Sequence, residues 1–144
     1  MKKTILFGIT LSLLTLISTS LTYSQDWPQF RGIGRDSKVT GFKAQAAWPA
    51  DLAQQWKVTV GAGDATPVLV YKKIYLHTRQ GGDEVVLCLD ANTGKEIWKS
   101  TYPAPSVTGP STSHPGPRST PAVASGKIVT YGVTGILSCL DAAS

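Results

Sequence analysis

Charged side chains are scarce in this sequence of 144 residues, of which Lys, Arg, Asp and Glu together make up 16%. Hydrophobic residues make up 42%, which excludes a disordered acidic or basic tail. The net charge of +5 includes Lys2 and Lys3 and is otherwise spread thinly, so the basic footprint of a nucleic-acid-binding protein is absent. With 14 glycines and 9 prolines, the composition disfavours a coiled coil or helix bundle and indicates a turn-rich globular chain.

Cysteine and histidine are also rare, with two of each. Cys88 and Cys139 match no zinc-binding spacing. They occupy the same position in two similar segments, so we expect them to lie too far apart for a disulfide and to be buried free thiols. His77 and His114 show no pairing that indicates a metal site, and we expect both to be surface or partly packed side chains. Arg79 is predicted on the same strand face as His77, where it could line a pocket, but a solvated strand face is the expectation.

The N-terminus has the pattern of a secretory signal peptide. Two lysines precede an apolar stretch, residues 5–17, that is too short to span a bilayer of about 30 Å. Thr22 and Ser24 are small residues suited to signal peptidase cleavage after Ser24, and no cysteine nearby indicates a lipoprotein. The alternative, a retained membrane anchor, lacks both length and a following positive charge. We predict a signal peptide at 1–24 and a periplasmic or secreted mature protein with no membrane span.

An internal repeat follows in the rest of the chain. Three pairs of segments align in the same order: 66–70 with 120–124, 73–75 with 127–129, and 88–91 with 139–142. The first two pairs are 54 residues apart and the third is 51 apart, while Trp56 and Trp98 are 42 apart. A period of about 40–50 residues with only short β-type runs predicts a β-propeller of four-stranded antiparallel blades and excludes helical repeats.

Eight strands are predicted from runs rich in Val, Ile, Tyr and Trp that are separated by turn residues. They are 55–60, 66–70, 73–78, 85–90 and 96–99, then 120–124, 127–132 and 136–141. The Pro-rich residues 102–117 are predicted to leave the sheet as a surface excursion. This amounts to about one and a half blades, and because a repeat unit cannot bury its core face alone, we expect an N-terminal fragment of a longer protein.

A motif at residues 90–98 resembles the tryptophan-docking motif of PQQ-like β-propeller repeat proteins, the superfamily that includes the quinoprotein dehydrogenases. The matching residues are Asp90, Thr93, Gly94 and Trp98. We expect Thr93 and Gly94 to form the turn between the last two strands of a blade. The Trp98 indole is expected to fill the gap between blades, with its N–H bonded to a partner.

The start of the predicted mature chain is also similar to exported bacterial members of this family, through the sequence Asp-Trp-Pro-Gln-Phe-Arg-Gly at 26–32. The resemblance therefore covers nearly the whole mature chain. It implies an all-β propeller fold, with an N-terminal extension at 25–54 and partial propeller repeats at 55–144.

Two functions are implied by the superfamily. One branch holds pyrroloquinoline quinone (PQQ) and calcium in its channel and oxidises alcohols or sugars with an aspartate base. Another binds no cofactor and offers strands and loops to partner proteins. The 9 acidic residues of this chain form no sequence cluster, and turn hydrogen bonding explains Asp90 and Asp141.

We therefore expect an exported binding or scaffolding module that has no catalytic residue and no cofactor in this stretch. Its expected partners are other proteins or an extracellular ligand. The alternative is the N-terminal part of a periplasmic PQQ-dependent alcohol or sugar dehydrogenase, for which PQQ and calcium are the implied cofactors. A carbohydrate-binding propeller is a third possibility.

Overall fold

The computed structural model describes residues 25–144, so the predicted signal peptide, residues 1–24, lies outside the described residues. The described part is all-β and forms two antiparallel sheets. The strands are β1 (Val68–Val70), β2 (Lys73–Gln80), β3 (Asp83–Asp90), β4 (Glu96–Pro103), β5 (Ala122–Ala124), β6 (Lys127–Tyr131) and β7 (Leu137–Asp141). A short 3₁₀ helix, Gly109–Ser113, lies between β4 and β5. Within residues 25–144, no helix is long and apolar enough to cross a membrane.

The two sheets repeat the same strand pairing. The first sheet has the order β1-β2-β3-β4 and the second has the order β5-β6-β7, each strand pairing with the next along the chain. In the first sheet Lys73 lies opposite Asp90, and in the second Lys127 lies opposite Asp141. The aligned sequence segments therefore adopt equivalent places in both sheets. Between residues 25 and 144 the strands close into neither a barrel nor a ring.

Seven of the eight predicted strands are present, with shifted ends. The prediction of a strand at 55–60 was wrong. Within that segment the carbonyl of Val60 accepts a hydrogen bond from the Gln80 side chain, and two residues later Ala62 forms one isolated bridge with Arg79. One backbone bridge cannot make a ladder, even where the residue types favour a strand.

A layer of apolar side chains joins the two sheets. We call the surface that the first sheet turns toward the second its inner face. Its apolar members are Val68, Val70, Tyr75, Val86, Cys88 and Trp98. They pack against Ile128, Leu140 and Ala142 of the second sheet and the residue after it. Burying several large side chains at about 1.5–3 kcal/mol each is what holds the sheets together.

The opposite side of the first sheet is its outer face, where Ile74, Leu76, Val85, Leu87 and Leu89 form a second cluster with Val60. Because β3 carries apolar residues on both faces, Val85, Val86, Leu87, Cys88 and Leu89 are all buried. This agrees with the uninterrupted apolar run of its sequence.

The Pro-rich excursion begins later than predicted, because β4 continues to Pro103. Its far end is anchored in the fold. The carbonyl of Pro117 accepts hydrogen bonds from the N–H groups of Asp64 and Ala65, and Pro117 itself is fully buried. The excursion is therefore tied at both ends to the first sheet and to the segment before it.

Candidate functional site

Two tryptophans make the same kind of contact, one repeat apart. The indole N–H of Trp56 donates to the carbonyl of Ala91, at 3.0 Å. The indole N–H of Trp98, on β4, donates to the carbonyl of Ala142, at 3.3 Å. Ala91 and Ala142 follow the aspartates that end β3 and β7, so they hold the same position in the two sheets. Each tryptophan thus fastens one segment to the next unit along the chain.

Three of the four predicted motif residues lie together in the β3–β4 turn. Asp90 Oδ1 accepts hydrogen bonds from the backbone N–H of Asn92 at 3.0 Å and of Thr93 at 2.9 Å, and from the Thr93 hydroxyl at 2.9 Å. The hydrogen bonds from Thr93 lower the pKa of Asp90. The fourth residue, Trp98, lies on β4 and reaches the second sheet rather than this turn. The indole that rests on the turn belongs to Trp56.

Gly94 is required at this turn for two separate reasons. Its φ is +70°, which glycine adopts without steric cost. In addition, a Cβ at this position would lie 2.6 Å from a ring carbon of Trp56. The glycine therefore provides the flat surface on which the indole rests.

Substitution of Gly94 by alanine should therefore displace Trp56. We expect Gly94→Ala to cost about 2–4 kcal/mol of unfolding free energy and to shift tryptophan emission to longer wavelength. Gly126→Ala is the matched control, because Gly126 has a φ of +72° but nothing within 4 Å of the added Cβ. The control should cost only the conformational strain, about 1 kcal/mol, with unchanged emission. Equal losses and equal spectra for the two variants would argue against the contact.

A buried chain of polar side chains crosses between the sheets at the other end of the inner face. The Tyr102 hydroxyl donates to Glu84 Oε2 at 2.9 Å, and His77 Nε2 lies 3.0 Å from the Tyr102 oxygen. Glu84 Oε1 accepts from the backbone N–H of Val133, which follows β6, at 2.9 Å. We assign the proton of His77 to Nε2, since the Tyr102 hydrogen is already directed to Glu84.

Glu84 and His77 are fully enclosed, with side-chain exposures of 0%. Burial lowers the pKa of His77, although the Glu84 carboxylate opposes that shift. Burial also raises the pKa of Tyr102, and the hydrogen bond to Glu84 adds to the increase. The cluster therefore holds a neutral imidazole and a neutral phenol beside the carboxylate. Gly132 completes it, because a Cβ there would clash with Glu84 Oε2.

Acidification should destabilise the chain through His77. The unfolded imidazole takes up a proton near pH 6.5, while the folded one resists protonation until lower pH. The contribution of the neutral His77 imidazole to the free energy of unfolding is fully present above about pH 6.5. It is lost as the pH falls toward the folded pKa, by at most about 1.4 kcal/mol per pH unit. Melting temperatures recorded between pH 8 and pH 5 should show the decline. His77→Gln should flatten it and His114→Gln, at an exposed site, should not; parallel curves for wild type and His77→Gln would contradict the assignment.

The expectation of a solvated strand face for Arg79 was wrong, since Arg79 is only 7% exposed. Its Nη2 donates to the carbonyls of Gly82 at 2.9 Å and Ala104 at 3.0 Å, with Pro105 at 3.3 Å. The guanidinium thereby ties the start of the Pro-rich excursion to the β2–β3 turn. His77, expected at the surface or partly packed, is buried because the second sheet covers this face.

Sequence reasoning missed Glu84 altogether. Its position could have been noticed, because Glu84 alternates with Val86 and Cys88 and therefore points to the same side of β3. An acidic side chain on an otherwise apolar strand face, directly opposite Arg79 on β2, indicates a buried polar contact. What the sequence does not contain is the identity of its partners, which come from β4 and from the residues after β6.

The second sheet leaves one face uncovered. We call it the open face; its members are Ala122, Ala124, Val129, Tyr131, Leu137 and Cys139, all exposed. Alternation with the buried Ile128 and Thr130 places these side chains on the side away from the first sheet.

The prediction that both cysteines are free is confirmed, but the prediction that both are buried was wrong, since Cys139 is exposed. No described element packs over Cys139, whereas the second sheet packs over Cys88.

Residues 25–144 contain no group of three or more His, Cys, Asp or Glu side chains placed to hold a metal ion. The carboxylates of Asp90 and Asp141 are engaged in turns, and Glu84 is enclosed by its own partners. These residues therefore do not provide the oxygen ligands that calcium requires.

Comparison of the chain with protein-family models, with curated proteins and with solved structures finds no match.

Proposed function

We propose that this chain is an exported β-propeller repeat protein of the PQQ-like type, which acts as a binding or scaffolding module. The observation that carries the proposal is the repeated tryptophan contact, from Trp56 to Ala91 and from Trp98 to Ala142. A contact that recurs at equivalent positions in successive units is a property of repeat architectures.

The way in which the sheets stack supports the same proposal. Ile128 and Leu140 of the second sheet, which face the first sheet, correspond in the repeat to Ile74 and Leu89 of the first sheet's outer face. The inner face of the first sheet therefore packs against the side of the second sheet that is equivalent to the first sheet's outer face. The two equivalent faces do not pack against each other. Stacking of this heterologous kind leads to a ring or to an extended array, and a ring of four-stranded sheets is a propeller.

The open face fits as the next contact of such a series. Val129, Leu137 and Cys139 occupy the positions of Tyr75, Val86 and Cys88, which the second sheet buries. An exposed apolar surface of this kind in a folded protein marks a contact with another element. We infer that the contact is a further sheet of the same repeat.

A binding role is favoured over catalysis because the buried polar side chains already form hydrogen bonds within the protein. Glu84, His77 and Tyr102 bond to one another between the sheets, and Asp90 shapes a turn. Catalytic acids and bases need to face a cleft that substrate can enter. The rigid sheets and the loops at their ends instead supply a surface on which partners bind.

The decisive experiment extends the chain after Ser144, which holds the repeat position of Thr93, with a second copy of its residues 94–141. That copy supplies a fourth strand to the second sheet and a third sheet beyond it. We expect the melting temperature to rise and the Cys139 thiol to become protected from a maleimide reagent. Leu137→Lys in the extended chain is the matched control and should restore the reactivity of Cys139. Unchanged reactivity of Cys139, with separate melting of the added part, would overturn the proposed stacking.

The enzymatic alternative can be tested on the chain as it stands. Incubation with calcium and PQQ, followed by an alcohol or an aldose and an artificial electron-accepting dye, should give no dye reduction above the level without protein. Reduction that requires protein, quinone and calcium together would replace the binding module with a quinoprotein dehydrogenase.

A further inference from the structure

A cleft of about 320 Å³ lies between the two sheets at the ends that carry the β1–β2 and β5–β6 turns. Tyr71 and Lys73 line it from the first sheet, and Lys127 and Asp141 line it from the second. Its floor includes Tyr75, whose hydroxyl donates to the carbonyl of Ala142 at 2.9 Å. The volume is at the lower end of the range for ligand pockets in proteins, and the lining combines aromatic surface with a few polar groups.

The β1–β2 turn at the rim of this cleft has the same backbone conformation as the equivalent turn of the second sheet but is built from different residue types. The equivalent turn of the second sheet is Ser125-Gly126, with φ values of +49° and +72°. The first sheet holds Tyr71 and Lys72 in the same left-handed conformation, at +48° and +63°. Such a conformation costs a bulky residue about 1–3 kcal/mol, which glycine at the second position avoids. Strain of this kind concentrates at binding sites.

Tyr71 gains no compensating burial, because it is 84% exposed. Its backbone N–H is held by Asp26 Oδ1 at 3.0 Å, so the turn is fixed while the ring faces solvent. An aromatic side chain that is strained, fixed and exposed at the mouth of a cleft is placed to cover the apolar part of a ligand.

The charges in the cleft indicate the sign of that ligand. The side chains of Lys127 and Asp141 alternate with Ile128 and Leu140, so they lie on the side of the open face, and they pair with each other, Nζ to Oδ2, at 3.1 Å. Lys73 is half-buried and, among the residues that the structure describes, forms no ion pair. Lys73 alternates with Tyr75 and so points toward the cleft. Asp90 lies opposite Lys73 on β3, but its Oδ1 accepts the hydrogen bonds of the β3–β4 turn. A partly desolvated ammonium that forms no ion pair favours a negative charge beside it.

We propose that this cleft binds the C-terminal residue of a peptide, with its carboxylate at Lys73 and its apolar side chain under the Tyr71 ring. Capture of a terminal carboxylate is a recurring mode of peptide recognition. The inference goes beyond the proposed ring and needs only the two sheets that the structure describes.

The test is a titration of the isotope-labelled full chain with the tripeptide acetyl-Gly-Gly-Phe, followed by amide chemical shifts in NMR spectra. We expect the free acid to shift the amides of residues 71–73 and 125–127, and the C-terminal amide of the same peptide to bind about tenfold more weakly. Lys73→Gln should cause a similar loss, while Lys99→Gln, exposed on β4, should bind as wild type does.

The double variant Tyr71→Ser with Lys72→Gly gives the first turn the residues of the second. We expect it to bind the free acid at least tenfold more weakly and yet to melt at the same or a higher temperature, because the strain is relieved. Three results would overturn the proposal: equal binding of acid and amide, full binding by the double variant, or larger shifts at these amides with methyl glucoside, which would indicate a neutral saccharide site.

Discussion

A lysine in place of Val86 is expected to unfold the chain, whereas a lysine in place of Leu137 is expected to leave it folded. The two residues occupy the same position of the repeat. Val86 has 0% exposure between the sheets, while Leu137 is 70% exposed on the open face. Val86→Lys would force a long charged side chain into this fully packed layer, next to a Glu84 carboxylate whose two oxygens already accept from Tyr102 and Val133, at a cost of several kcal/mol. Natural domains have only about 5–15 kcal/mol of stability to lose.

Circular dichroism and light scattering measure both parts of this expectation. Val86→Lys should lose the cooperative melt, and Leu137→Lys should keep it while self-association at high protein concentration falls, since the open face loses apolar surface. Val86→Ala is the control for a general intolerance of substitution at this position. It should remain folded, with the free energy of unfolding reduced by about 1–3 kcal/mol. Similar melts for the two lysine variants would show that the inner face and the open face are not distinguished as described.

Glu84→Ala is expected to lower the free energy of unfolding by about 3–5 kcal/mol. The change removes the acceptor for the Tyr102 hydroxyl and for the Val133 N–H, and leaves these two part-buried donors without it. Each stranded donor costs about 1–3 kcal/mol, and the lost packing adds to that. Urea denaturation followed by circular dichroism gives the difference directly.

Two further variants make the Glu84 result specific. Glu84→Gln retains the shape and an acceptor oxygen for Val133, so it should cost clearly less than Glu84→Ala. Tyr102→Phe removes a single hydroxyl and should cost about 1–2 kcal/mol. An alanine variant within about 1 kcal/mol of wild type would mean that this polar chain does not couple the sheets.

The sequence was sufficient for the strands and their repetition, because both depend on local patterns. Runs rich in strand-forming residues, alternating in β2 and apolar throughout in β3, together with the turn residues between them specify β2, β3, β6 and β7 within a few positions. The same pattern failed at 55–60, where suitable residue types meet no neighbouring strand. Strand formation needs a partner, and no local signal reports whether one is present.

Burial was the part that the sequence could not provide. His77 and Arg79 are polar residues on a strand face, which ordinarily indicates solvent. They are buried because the second sheet and the residues after β4 cover them. The hydrogen bonds that join these parts, from Arg79 to Ala104 and from Val133 to Glu84, span 25 and 49 residues of the chain. Cys88 and Cys139 show the same effect with identical residues: the repeat makes them equivalent, and only the neighbouring sheet makes them different.

The most direct measurement of the stacking is the reactivity of these two thiols in the native chain. Cys88 is buried and Cys139 is exposed, so a thiol reagent should label one cysteine per chain without denaturant and the other only after unfolding. Burial also raises the pKa of Cys88, which slows its reaction further. Peptide mapping should locate the fast label at Cys139. Labelling of Cys88 first, or of both thiols at the same rate, would contradict the arrangement of two sheets with one inner and one open face.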